Sequence, residues 1–345
     1  MKKNIHYFLI PLILLLLFEF FSFIIITFYP IVFNLPHKNN FQVRDFTEKV
    51  EDKRIVTMKK NLKLNNIKDY SNSNLVYSIY TDHIGSRIPR NDSNLKNNNK
   101  IFLFLGDSVP FGWGKEAEES FPYLFSINNK NYKIINGAVP SYALPQAIAR
   151  LDIEFIGIKN IKYIYLQIFD PVSQYALYQG NWLPTDNWTF AQIKTLEICK
   201  VIKNDEFNFI NKLNTFKIIA KIKRKFNYCS IKLINNESDQ RYLSHIKEQI
   251  DELIKINKNI KAQLIIAPVV VSPESTKTLN KSYAHALNLI NNYLEDRSRQ
   301  KNEFIFFDSR KFLDSEEDFI DQAHLSVIGA KKVANYLNKV INNLN

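Results

Sequence analysis

Cysteine is nearly absent. Only Cys199 and Cys229 occur among 345 residues and no Cys-x-x-Cys pair is present, so neither a disulfide framework nor a zinc site is encoded. In an oxidising compartment the two could form one disulfide, and two unpaired thiols fit the sequence equally well. No internal repeat is found. The chain is not a disordered one either, because 46% hydrophobic and 23% charged residues is the balance of a globular protein. Its length allows one large domain or two small ones. The net charge of +12 is not gathered into a stripe, since lysine, asparagine and isoleucine are spread throughout, and no nucleic-acid partner is expected. The basic run Lys221, Lys223, Arg224 and Lys225 reads as solvated surface, with anionic lipid or polyanionic glycan as the other reading.

A cleavable leader is also missing. Residues 7–33 are almost unbroken leucine, isoleucine and phenylalanine, longer than the roughly 20 residues needed to cross a bilayer core. No small-residue cleavage site follows, so an uncleaved signal anchor is expected at 1–34, a single transmembrane helix. Lys2 and Lys3 precede it, which favours a cytoplasmic N-terminus and an extracytoplasmic C-terminal body, although Lys38, Arg44 and Lys49 follow on the other side. Glu19 inside the run is a protonated or snorkelling side chain, or else the mark of a partner helix.

Residues 35–100 are polar and rich in asparagine and lysine, and read as a stalk and lead-in segment with one ordered piece at 75–80, an edge strand or lid. From residue 101 onward short apolar runs alternate with amphipathic stretches, the pattern of a parallel sheet covered on both faces. Strands are predicted at 101–105, 132–136, 162–167, 263–270 and 303–307. Helices are predicted around 120–126, 144–156, 242–256, 282–299 and 327–344. Between 172 and about 239 no strand is clear. This Trp- and Tyr-containing insertion is a substrate-shaping cap or a structural subdomain in equal measure.

The first strand of the 101–345 domain breaks into Gly106-Asp107-Ser108, followed by Val109, Pro110 and Phe111-Gly112-Trp113-Gly114. Ligands of open parallel sheets gather outside the carboxyl ends of strands, which places Ser108 where a substrate would lie. Pro110 excludes the G-x-S-x-G nucleophile elbow, and a Gly-Asp-Ser turn that merely caps a helix has the same appearance. The last loop separates these readings. Asp321 and His324 are separated by two residues, just before Ser326, a candidate N-cap of the final helix. A serine hydroxyl needs a base within hydrogen-bond reach, and the base needs an acid to fix its tautomer. One loop supplies both. A histidine that merely caps a helix start is the bland alternative.

The ordered blocks Gly106-Asp107-Ser108, the Asn136-containing segment and Asp321-x-x-His324-Leu325-Ser326 resemble those of the SGNH (GDSL-like) hydrolase superfamily over 81–344. The Phe111-Gly112-Trp113-Gly114 and Glu119-Ser120-Phe121-Pro122-Tyr123 stretches are similar to those of its membrane-anchored bacterial members. The resemblance implies a flavodoxin-like three-layer α/β/α sandwich with a mainly parallel five-stranded sheet. It also implies hydrolysis or transfer of an ester-linked acyl group without cofactor or metal, with Ser108, His324 and Asp321 as nucleophile, base and orienting acid.

In that family the oxyanion hole combines the nucleophile's own N–H, here Ser108, a backbone N–H after the second strand and an asparagine after the third. Ser141 stands at the usual glycine position of the second block, with Gly137 as the alternative donor. In the third block Phe169 replaces the asparagine and cannot donate; Gln167, two residues upstream, either lends its amide or lines a pocket wall. Loss of one such donor typically costs about 100- to 1000-fold in turnover, roughly 3 to 4 kcal/mol. Two functions therefore stand. One is a membrane-tethered serine esterase or acyltransferase acting on a lipid or cell-envelope glycan. The other is a catalytically weakened domain of the same fold that binds a glycan or a partner, with Trp182 and Trp188 available to stack on sugars.

Overall fold

In the computed structural model, residues 43–54, 56–68, 75–90, 100–140, 142–168, 236–268, 270–278 and 281–344 are described, together with Leu17, Phe18, Phe20 and Phe21. The chain divides into two units, Met1–Asn40 with Lys194–Ile231 and Phe41–Ile193 with Lys232–Asn345. All the described residues beyond Phe21 belong to the second. Apart from those first four residues, the expected anchor at 1–34 lies outside the described set, as do both cysteines, Trp182, Trp188, and the insertion up to residue 235. Among the described residues no helix is long and apolar enough to cross a membrane.

The apolar runs become strands because both of their faces are covered. β6 (Lys100–Leu105) is buried from Ile101 onward. Phe102 and Phe104 point to one side, while Ile101, Leu103 and Leu105 point to the other. It pairs in parallel with β7 (Tyr132–Asn136) on one edge and with β8 (Ile161–Ile168) on the other. β9 (Gln263–Pro268) and the two-residue β10 (Ile305–Phe306) extend the parallel side beyond β8. In chain order these five strands lie 2-1-3-4-5, the flavodoxin-like arrangement.

The sheet is larger than the five strands expected. Beyond β7 it continues through β5 (Arg87–Ile88), β4 (Val76–Thr81) and β3 (Lys63–Lys68), all antiparallel and all drawn from the segment read as a stalk. The full order is β10-β9-β8-β6-β7-β5-β4-β3, eight strands in all. A separate antiparallel pair, β1 (Thr47–Lys49) and β2 (Val56–Met58), precedes them. The stalk reading is corrected here: Tyr77 and Ile79 of β4 join the same core as Leu103 and Ile135, so burial of their side chains holds this extension on the sheet.

Helices cover both faces. On one side the core contains Ile246, Ile250 and Leu253 of a helix at Asn236–Ile260, and Ile290 and Leu294 of a helix at Lys281–Lys301. It also contains Ala147 and Leu151, where the helix Leu144–Arg150 passes into a π-turn at Leu151–Phe155. On the other side Phe121 and Phe125 of the helix Phe121–Asn128 and Val333, Leu337 and Ile341 of the final helix, Val327–Asn342, pack on Phe102, Phe104 and Tyr165. The result is three layers. The chain leaves β6 to form β7 on one flank and then crosses to β8 on the other, so the carboxyl end of β6 is the switch point of the sheet.

Candidate active site

Ser108 stands at that switch point. Gly106 turns the chain out of β6 with φ of +132°, and a Cβ there would lie 2.8 Å from the Gln167 carbonyl oxygen at the end of β8. Glycine is required by both the dihedral and the close approach. Asp107 then caps the short helix Ser108–Phe111, its Oδ1 accepting from the Val109 N–H at 2.9 Å. The capping reading of this motif is therefore correct for Asp107, and it is compatible with a chemical role for the serine beside it.

The second block braces the same turn. Asn136 is fully buried; its Nδ2 donates to the Pro110 carbonyl at 2.9 Å, and its Oδ1 accepts from the Ala138 N–H at 3.3 Å. The Val139 N–H donates to the Gly106 carbonyl at 3.0 Å. Gly137, the alternative oxyanion donor, is corrected: its N–H donates to the Phe104 carbonyl at 2.8 Å and is engaged in extending the sheet. Ser141 and Phe169 lie outside the described residues. Gln167 is buried, and its side chain lines a small cavity with Val109, Tyr165 and Ala323, the amide oxygen 3.5 Å from the Tyr165 hydroxyl.

The last loop reaches Ser108 from the opposite side. Phe319 and Leu325 form an antiparallel bridge and the Ile320 N–H donates to the His324 carbonyl at 2.8 Å, closing a tight loop. Inside it Asp321 Oδ1 accepts the N–H groups of Ala323 at 3.0 Å and His324 at 2.9 Å. The same carboxylate orients the ring: Asp321 Oδ2 is 2.7 Å from His324 Nδ1, and His324 Nε2 is 2.8 Å from Ser108 Oγ. Ser326 caps the final helix, its Oγ accepting from Ile328 and Gly329. The structure thus brings together Ser108, His324 and Asp321, which are 216 and 3 residues apart along the chain.

Exposure grades across the three: Ser108 is 6% exposed, while the side chains of His324 and Asp321 are 23% and 40% exposed. Burial alone would raise the Asp321 pKa. The hydrogen bond and charge of His324, with the N–H groups of Ala323 and His324, outweigh it and hold the carboxyl down to about 2. Asp321 is therefore an anion at any neutral pH. The arrangement can pass a proton from Ser108 Oγ to His324 while Asp321 fixes the tautomer with Nδ1–H outward.

Two neighbours of this relay, Trp113 and Lys115, and the arginine that braces their turn were not singled out as site residues by sequence. Trp113 stacks on the His324 ring at 6.1 Å between centroids, with planes 29° apart. Lys115 is buried and donates from Nζ to the Trp113 carbonyl at 3.0 Å. Desolvation and then the Arg87 charge push its pKa down to about 7, against the opposing pull of Asp321 and Glu119. Arg87 is fully buried, a solitary arginine whose sequence context gives no sign of its carbonyl partners. Among the described residues no group of three or more His, Cys, Asp or Glu is arranged to hold a metal ion.

No protein-family model matches the chain, and no curated protein matches it. Solved structures similar to it include a member of the lipolytic protein G-D-S-L family from Veillonella parvula DSM 2008, with 10% identity and a TM-score of 0.42 over 70% of this chain and 98% of that one. A carbohydrate acetylesterase family member from Sinorhizobium meliloti has 11% identity and a TM-score of 0.41, over 70% and 97%. Phospholipase A1 from Streptomyces albidoflavus NA297 has 12% identity and a TM-score of 0.42, over 69% and 98%. The chemistry of the site rests on its own distances.

Proposed function

We propose that this chain is a serine ester hydrolase or acyltransferase of the SGNH type, held at a membrane by its first apolar segment with its C-terminal domain exported. The observation that carries the reading is the unbroken relay from Ser108 Oγ through His324 to Asp321, with links of 2.8 and 2.7 Å. Ser108 Oγ attacks the ester carbonyl as its proton passes to His324 Nε2. The tetrahedral intermediate places its oxyanion by the Ser108 N–H, the first of a helix and so without an intrahelical acceptor. Collapse expels the alcohol, which takes the proton from Nε2 and leaves an acyl-serine. Water, or a sugar hydroxyl in transfer, then attacks the acyl carbon, giving its proton to His324, which returns it to Ser108.

The tether supports a lipid or envelope-glycan ester as substrate, because anchoring concentrates the domain where such esters lie. The test uses the full chain with a fluorophosphonate probe and with short- and long-chain acyl esters. Labelling and turnover are expected, and both vanish in Ser108→Ala. Full activity in Ser108→Ala would overturn the assignment. Engagement of the Gly137 N–H within the sheet favours one further reading, a weakened hydrolase that binds glycan. Polysaccharide binding unchanged by Ser108→Ala, with no turnover of any ester, would select it.

A further inference from the structure

The turn after the nucleophile's helix is held in an unusual way. Its carbonyls converge on two buried basic side chains rather than on backbone N–H groups alone. Arg87 Nη1 donates to the carbonyls of Phe111 and Gly112, each at 2.6 Å, and Nη2 donates to those of Lys115 at 2.6 Å and Ser78 at 3.2 Å. The guanidinium also lies 4.5 Å above the Phe111 ring. Lys115 folds back to donate to the Trp113 carbonyl. Between these anchors Trp113 is 4% exposed, with Phe46 at 6.0 Å, the edge-on Tyr77 at 6.1 Å, and the His324 ring stacked at 6.1 Å.

A base in this position has two demands that Asp321 meets only in part. The Nδ1 to carboxylate bond fixes one end of the imidazole but leaves the ring able to swing about that bond. It also leaves the positive charge, which arises each time Nε2 takes the serine proton, facing whatever lies on the ring's flat side. An indole in offset stacking answers both, limiting the swing by contact and attracting the imidazolium through its electron-rich face.

We propose that Trp113 is a positioning residue for the base: anchored by the carbonyl bonds of Arg87 and Lys115, its indole keeps the His324 ring aligned on Ser108 and faces the imidazolium formed each time Nε2 takes the serine proton. This rests on the reading of Ser108 and His324 as nucleophile and base. The charged groups that also face this region are Asp321 on the same loop and Lys115 on the turn, the latter flanked by Arg87 and Glu119.

The experiment has two arms. In the first, kcat and KM for an acyl ester are measured against pH in wild type, Trp113→Leu and Trp113→Phe. Trp113→Leu lowers kcat about 2- to 30-fold with KM little changed and moves the acidic limb to lower pH, and Trp113→Phe recovers most of both. In the second arm, the His324 titration is followed by NMR of labelled histidine in the full chain carrying Ser108→Ala. The tryptophans are replaced biosynthetically by mono- and trifluorinated tryptophan, which keeps the shape while draining the ring face. The His324 titration falls stepwise with fluorination, and the steps disappear when Trp113→Phe is added. This arm holds even if Trp113→Leu fails to fold, and it needs no turnover.

A protein that turns over esters through Ser108 but shows no effect in either arm overturns the platform and leaves the proposed function intact. A protein without esterase activity whose His324 titration follows fluorination keeps the platform and loses the proposed function. Trp113→Phe no better than Trp113→Leu in the first arm also overturns the proposal.

Discussion

Gly329 tests whether the final helix sets the position of His324. It lies in the first turn of that helix, where Ser326 Oγ accepts its N–H at 3.2 Å. A Cβ at this residue would stand 2.1 Å from the Asp318 carbonyl oxygen and 3.0 Å from its carbonyl carbon, short of ordinary contact at 3.4 Å by about 1.3 Å for the oxygen. The obstacle is backbone and cannot rotate away. Nor does it slide easily. Asp318 is fully buried, its Oδ2 accepts from the Ser315 N–H at 3.2 Å and pairs with Lys332 at 2.9 Å, and its carbonyl receives the Ser326 N–H at 2.8 Å. In Gly329→Ala the helix and the turn before it must part by about an ångström. Overpacking of this kind costs about 1–3 kcal/mol, and a rigid obstacle belongs at the upper end. For a domain of this size each kcal/mol moves Tm by about 2–4 °C, so a fall of roughly 5–10 °C is expected. The loop that carries Asp321 and His324 hangs between the two parts, so the Nε2 to Oγ distance opens with them. Misplacement by about 1 Å can cost on the order of 100-fold in rate. Thermal scans and fluorophosphonate labelling rates measure the two effects. Gly157→Ala is the control, because a Cβ there meets nothing within 4 Å. Wild-type Tm and labelling in Gly329→Ala would refute the reasoning.

Two other substitutions follow from the charges around His324. Asp321→Asn keeps an oxygen for the N–H groups of Ala323 and His324 but presents an amide donor to Nδ1, forcing the proton onto Nε2; turnover should fall about 10⁴-fold, and retention of more than a tenth of the activity would sink the tautomer argument. Because the Asp321 carboxyl sits below its ordinary value near 3.9, its contribution to stability is complete above that value and is lost only as pH falls toward about 2. Lys115 has a linkage of the same sign but a different origin, burial of a charge rather than its pairing: with its pKa at about 7, the folded chain binds fewer protons there than the unfolded chain between pH 7 and the ordinary lysine value near 10.4, so wild-type stability rises across that window. Lys115→Met should therefore gain most over wild type at or below pH 7 and progressively less toward pH 10, as read from urea midpoints; a pH-independent difference would show that no buried ammonium was removed.

The strands of the parallel core were legible because burial on both faces writes a continuous apolar run. Residues 101–105 and 132–136 match observed strands within one residue, and the predicted strand 263–270 stops at Pro268. The antiparallel extension was not legible. β3 reads Lys-Leu-Asn-Asn-Ile-Lys, with only Ile67 buried and a register shift between Leu64 and Ile67, so an edge strand carries the composition of a solvated loop. β5 has two residues, too few for any periodicity. At the site, Ser108, Asp321 and His324 could be read because the proposed chemistry requires those residue types. Trp113 and Lys115 could not, since stacking on a ring 211 residues away and a bond to a backbone carbonyl leave no pattern of spacing. The same holds for Asn136, whose block was noted but whose bond to Pro110 depends on the β6–β7 register.

The two arginines with no exposed surface, Arg87 and Arg150, explain why the unread extension matters to the site. Arg87, in β5, binds carbonyls of the turn beyond Ser108 and of Ser78 in β4. Arg150 binds the Gly137 carbonyl after β7 at 2.8 Å, the carbonyls of Ile84 and Gly85 at 3.3 and 3.1 Å, and Glu154 at 2.7 Å. Each therefore bolts a loop at the carboxyl end of the parallel strands to the antiparallel extension. Burial pushes the Arg87 pKa down to about 10, still far enough above neutrality for the group to stay charged. A charged guanidinium out of water is tolerable only while its acceptors remain in place, and among the described residues those acceptors are carbonyls, with no carboxylate to fall back on. Any movement of the 111–115 turn would strand that charge, so the turn, the indole it carries and the serine helix before it move together or not at all. The segment whose composition reads as a stalk is in this way the foundation on which Ser108 is held still.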